Sequence, residues 1–132
     1  LEFRRVLFRS ECSISESYEK ITSSKGWRLW APTEHTVSGS RWNIKEIEYY
    51  SSTDCTDKIP NSLGTAFDSG NAGGGWTATQ AFGGSWTWGG RRDGNDLFYI
   101  GMNYLSEVQL KCVKFFNAAW NDRGASEIRI QA

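Results

Sequence analysis

GTAFDSGNAGGGWTATQAFGGSWTWGGRRDGNDLFYIG, residues 64–101, holds eleven of the chain's fourteen glycines together with Trp76, Trp86 and Trp88. A helix here would lose about 1 kcal/mol at each glycine relative to alanine. The clusters Gly73-Gly74-Gly75, Gly83-Gly84 and Gly89-Gly90 suit turns with positive φ instead. The stretch predicts glycine-bent loops that carry large aromatic rings on a β scaffold, where recognition surfaces are commonly built.

Strand-like runs stand on either side. Residues 27–31, WRLWA, have strand composition and end at Pro32, which cannot donate to a ladder; a loop with His35 follows. In residues 42–50, WNIKEIEYY, a two-residue period sets Lys45, Ile47 and Tyr49 on one face and Ile44, Glu46, Glu48 and Tyr50 on the other. Residues 65–67, 97–104, 108–116 and 127–131 are further strands, the last with Ile128 and Ile130 on one face. No stretch sustains a 3.6-residue period, so short strands joined by turn chemistry predict an antiparallel β-sandwich or barrel.

The first ten residues, LEFRRVLFRS, translate a common sequencing-adapter oligonucleotide and are set apart from the fold; they lack the apolar core and cleavage site of a secretory leader. Residues 11–25, rich in serine, read as a linker or the tail of a preceding module, and 26–132 as one domain, expected to be incomplete at its C-terminal end. Beyond residue 10 the chain has 12 basic and 14 acidic side chains, too balanced for a phosphate-tracking groove, so no nucleic-acid partner is expected. No apolar run nears the roughly 20 residues of a membrane-spanning helix, so no transmembrane segment is expected.

Cys12, Cys55 and Cys112 have no CxxC spacing, and with the single histidine His35 they leave too few soft ligands for structural zinc. Cys112 sits within an apolar strand-like run and Cys55 just after another. A bridge between them is expected, although spacing does not fix connectivity and three reduced thiols are the alternative. Cys12 is expected to pair upstream. Disulfide use places the chain outside the cell or on its surface.

Ala81-Phe82-Gly83-Gly84 leading to Thr87-Trp88, then Tyr99-Ile100-Gly101-Met102-Asn103-Tyr104, Val108-Gln109-Leu110 and Ile128-Arg129-Ile130-Gln131, form an ordered pattern. It resembles the discoidin domain, or coagulation-factor type C domain, of the galactose-binding-like superfamily that includes many carbohydrate-binding modules. Trp27-Arg28-Leu29 and Glu46-Ile47-Glu48-Tyr49-Tyr50 are similar to the C-terminal end of that family. The order is therefore permuted, or the chain straddles two tandem modules. The implied fold is an antiparallel jelly-roll sandwich.

The family's cation site uses the aspartate of an Ala-Phe-Asp-Gly run and the first carboxylate of the Glu-Ile-Glu strand. Here Gly83 stands at the aspartate position, leaving Glu46 and a few carbonyls, short of the roughly six to eight oxygens calcium takes. No cofactor is expected; calcium is the one candidate, with Glu46 its acidic ligand.

In the sugar-binding relatives an arginine, an asparagine and an aromatic on loops at one end of the barrel grip the sugar. The resemblance implies Trp42, Arg91, Arg92, Trp120 and Asn121 in these roles, the arginines on a loop over residues 89–93 and Trp120 and Asn121 on one over 117–124. Trp27, Trp86 and Trp88 read as core residues, and for Arg91 and Arg92 surface pairing with Asp93 and Asp96 is the alternative. Glu46 and Glu48 share a strand face, as a pair of glycosidase carboxylates would, but nothing stands opposite them. His35 has no nucleophile at a persuasive spacing. The expected function is non-catalytic: a carbohydrate-binding module in a larger extracellular protein, with tandem copies supplying avidity. The alternative is a discoidin-type adhesion module for protein or lipid head groups, although no candidate loop pairs a Leu or Phe cluster with a basic rim.

Overall fold

In the computed structural model, which describes residues 6–7, 11–15, 23–31, 41–118, 125 and 127–132, the strands follow the period-two runs closely. They are β1 (Val6–Leu7), β2 (Glu11–Ser15), β3 (Ser24–Ala31), β4 (Trp42–Tyr50), β5 (Gly64–Asp68), β6 (Trp88–Gly90), β7 (Phe98–Val108), β8 (Cys112–Asn117) and β9 (Glu127–Gln131). Two short 3-10 turns, Asn61–Leu63 and Ala78–Ala81, are the only helical elements among the described residues.

The strands form two antiparallel sheets. One has five strands in the order β1-β9-β3-β7-β5, the other four in the order β2-β8-β4-β6. Leu29, Phe98, Ile100, Met102 and Ile128 from the first sheet and Trp42, Ile44, Ile47, Tyr49, Trp88, Val113 and Phe115 from the second share one buried cluster. The chain is thus all-β and sandwich-like, with an apolar core between the sheets.

On its other face the five-stranded sheet is only partly covered, and long cationic side chains lie on its aromatics. Arg28 sits 4.7 Å above the Tyr99 ring and donates Nε–H to Gln131 Oε1 at 2.6 Å, and Arg129 lies 4.8 Å from the Trp30 ring. Such stems cover apolar surface while their heads stay wet.

Five differences from the sequence reading are informative. Residues 11–15, taken as part of a linker, form β2, paired from Glu11↔Phe116 to Ser15↔Cys112; the edge of β8 overrides their serine-rich composition. Val6 and Leu7, in the segment set apart, pair with Ile128 and Glu127 of β9. The run 108–116 is divided: β7 extends to Val108, and β8 starts at Cys112. The second strand of the glycine-tryptophan region, β6, has only three residues and no alternation to reveal it.

The fifth difference lies within β4. Opposite β8 the register shifts between Ile44 and Glu46, so Lys45 is an extra, bulged residue. The period continues on the far side with the opposite parity. Ile44 and Trp42 consequently face the core, fully buried, and Lys45 is exposed, the reverse of simple alternation.

The Cys55–Cys112 bridge is present, with a Cα–Cα separation of 5.5 Å. It ties the connection after β4 to the first residue of β8.

Candidate functional site

β4 and β6 touch over three residue pairs: Trp42↔Gly90, Asn43↔Gly89 and Ile44↔Trp88. Trp42, Ile44 and Trp88 point inward, the Trp42 ring meeting Trp88 edge-on at 5.6 Å and Phe115 at 5.9 Å. Gly90 is required between them, because a β-carbon there would lie 2.5 Å from the Trp88 ring and 2.6 Å from the Trp42 carbonyl oxygen. Alternation then puts Asn43 and Gly89 on the opposite face.

Trp76 lies on Gly89, where an added β-carbon would approach its Cβ to 3.1 Å and its indole to 3.2–3.3 Å. The loop holding it is stitched to β6. Ala72 N–H donates to Gly89 O, and Gly89 N–H donates to Trp76 O, both at 3.0 Å. The turn between them uses left-handed backbone at Gly73 (φ 75°) and Gly74 (φ 56°), which explains the glycine run. Asp68 anchors the loop to the core: one carboxylate oxygen accepts both Trp88 Nε1–H and Asn71 Nδ2–H at 2.8 Å, while Asn71 Oδ1 accepts Gly73 N–H.

The result is a cavity of about 160 Å³ lined by Arg41, Asn43, Ala72, Trp76, Gly89, Gly90 and Arg91. The Arg91 backbone is pinned on both sides, its N–H to Gly70 O at 2.8 Å and its carbonyl to Ser69 Oγ–H at 2.6 Å. Its guanidinium makes no hydrogen bond or ion pair with any described residue. Asn43 is 3% exposed, and its carboxamide makes no hydrogen bond with any described residue.

Next to the cavity, Trp86 stacks edge-on against Trp76 with centroids 5.8 Å apart and is 56% exposed. Its backbone N–H is held by Gln80 Oε1 at 3.0 Å. Here the core assignment of Trp86 is corrected. The assignments of Trp27 and Trp88 agree with the structure, where both are buried.

The predicted site residues divide. Arg91 lines the cavity. Arg92, one residue on, is engaged elsewhere: Nη1 pairs with Asp96 Oδ1 at 2.8 Å, and the guanidinium lies 5.7 Å from the Phe98 ring centroid. Trp42 is corrected to a core residue. Its ring has no exposed surface, because the bulge at Lys45 turns it inward. Trp120, Asn121 and His35 lie outside the described residues; Ala118, two positions before Trp120, donates its N–H to Asn43 O at 3.2 Å.

Glu46 is half-buried opposite Phe116. Among the described residues no group of three or more His, Cys, Asp or Glu side chains gathers as a metal site. Gly83, at the aspartate position of the family pattern, has φ 85°, a backbone demand that favours glycine. Glu48 accepts a short hydrogen bond from the Tyr50 hydroxyl and one from Lys58 Nζ at 3.5 Å. Burial is the largest influence on its carboxyl and pushes the pKa up, yet the Tyr50 and Lys58 contacts together hold it below the usual carboxylate value.

Sequence reasoning missed Arg41, Asn43 and Trp76. A signal for Asn43 existed: it is a lone carboxamide between large apolar residues at a strand start. Compared with known proteins, the chain matches no family model, no curated protein and no solved structure.

Proposed function

We propose that this chain is a non-catalytic carbohydrate-binding module of an extracellular protein, built on a discoidin-type, galactose-binding-like jelly roll, with its sugar seated at the Trp76 cavity. The observation that carries the reading is one juxtaposition: the Trp76–Trp86 pair, partly open to solvent, stands at a cavity that Asn43 and Arg91 also line. An indole face suits the apolar C–H face of a sugar ring, and planar donors fix its hydroxyls. The cavity is smaller than the roughly 300–1,000 Å³ of sites for drug-sized ligands, which suits one ring of a longer glycan. Sites this small bind weakly, so tandem modules supply avidity. The disulfide supports an oxidising location.

Glycan-array binding tests this. Trp76→Ala and Trp86→Ala are expected to weaken the strongest signals about tenfold or more, a loss of about 1.4 kcal/mol. Trp30→Ala, on the five-stranded sheet, is expected to leave them unchanged if the variant stays folded. Binding only to liposomes or to a protein partner would favour the adhesion reading instead.

A further inference from the structure

Resting on the sugar-binding reading and narrowing it, we infer that the sugar in the Trp76 cavity bears an oxyanion, a carboxylate or a sulfate, seated on Arg91. Among the described residues lining the cavity, Arg91 supplies a guanidinium group and none supplies a carboxylate; Arg41, also on the lining, has interactions of its own. The acids of the adjoining loops are already engaged. Asp68 holds Trp88 and Asn71, Asp93 accepts the N–H groups of Asn95 and Leu97 at 2.8 and 3.0 Å, and Asp96 holds Arg92.

The contrast within one loop is the decisive point. Arg92 has its counter-charge, whereas Arg91 faces the cavity with none among the described residues. A guanidinium fork matches a carboxylate or sulfate with paired hydrogen bonds, and in a half-enclosed cavity such a bond is stronger than one to a neutral hydroxyl. Asn43, 3% exposed and on the same lining, offers one donor group and one acceptor, and so can take a hydroxyl as well. An anion, a hydroxyl and an apolar ring face together describe an acidic sugar, which a bare inorganic anion does not satisfy.

The test is an array of the full chain on three classes of glycan: uronates (polygalacturonate, alginate, hyaluronan), sulfated glycans (chondroitin sulfate, carrageenan) and neutral glycans (galactan, xylan, mannan). At least one acidic glycan is expected to bind about tenfold more tightly than any neutral one at about 50 mM salt, with the gap shrinking several-fold near 500 mM as charges are screened. The class that binds identifies the oxyanion as carboxylate or sulfate. Arg91→Gln is expected to abolish the acidic preference and Arg91→Lys to reduce it, with thermal unfolding confirming that each is folded; Arg92→Gln is the control for loss of one positive charge elsewhere. Equal or tighter binding to a neutral glycan, or an acidic preference that survives in Arg91→Gln, overturns this inference and leaves sugar binding intact. No signal on any of the three classes overturns both.

Discussion

A β-carbon on Gly101 would collide with the Trp27 carbonyl oxygen and stand 2.8 Å from Arg28 Cα. Gly101 lies in β7 with β3 on one side and β5 on the other, paired to Arg28 and Phe67, so neither neighbour can move away without breaking a ladder. Gly101→Ala is therefore expected to destabilise the fold by about 3 kcal/mol, in the upper range for single substitutions; a urea midpoint within error of the parent would refute it. Gly94 is the useful contrast, with nothing within 4 Å of its would-be β-carbon and no left-handed φ, so Gly94→Ala is expected to be neutral within about 0.5 kcal/mol by the same measurement. Both glycines belong to the same rich stretch of sequence, yet only one is held by sterics.

At the scale of the element, β4 shows how one residue decides which face binds and which packs. With Lys45 bulged out, Trp42 and Ile44 join the core while Asn43 turns to the cavity side. Deleting Lys45 would remove the bulge and restore plain alternation with the same residues inward. A Lys45 deletion is thus expected to fold with Trp42 still shielded, and an alanine inserted between Asn43 and Ile44 to turn Trp42 outward. Acrylamide quenching and thermal melts distinguish them; similar behaviour of the two variants would show that the bulge does not set the faces. The sequence reading failed here because a period-two pattern has no means of counting an extra residue, and it misplaced Trp42 for that reason.

For the molecule as a whole, stability is expected to depend on one covalent tie and a set of protonated phenols. The Cys55–Cys112 bridge closes a loop of sequence separation 57, which on a chain-entropy account contributes about 4 kcal/mol. The Cys55→Ala/Cys112→Ala variant is expected to lose about that much in denaturant unfolding, and a loss below about 1 kcal/mol would contradict the account. Burial, with Tyr104 nearby, drives the Tyr49 phenol well above its ordinary pKa; the Glu48 hydrogen bond holds Tyr50 up to about 12, and burial does the same for Tyr104. Because the folded values exceed the unfolded value near 10, this stabilisation is complete below about pH 10 and is lost as pH rises toward and through 12. Urea midpoints are expected to fall across that window, with absorbance at 295 nm showing these phenols titrating late; normal titration of all tyrosines in the folded protein would rule this out.

From the sequence alone came the all-β class, most strand positions, the Cys55–Cys112 bridge and the burial of Trp27 and Trp88. These follow from local physics: side-chain periodicity, the conformational cost of glycine, and the few places a thiol or large ring can go. Tertiary structure decided the rest. Pairing with β8 made a strand of residues 11–15, the bulge exchanged Trp42 for Asn43 on the cavity side, and a loop laid over Gly89 brought Trp76 to Arg91. Each outcome depends on which distant backbone a residue meets, and no local pattern encodes that meeting.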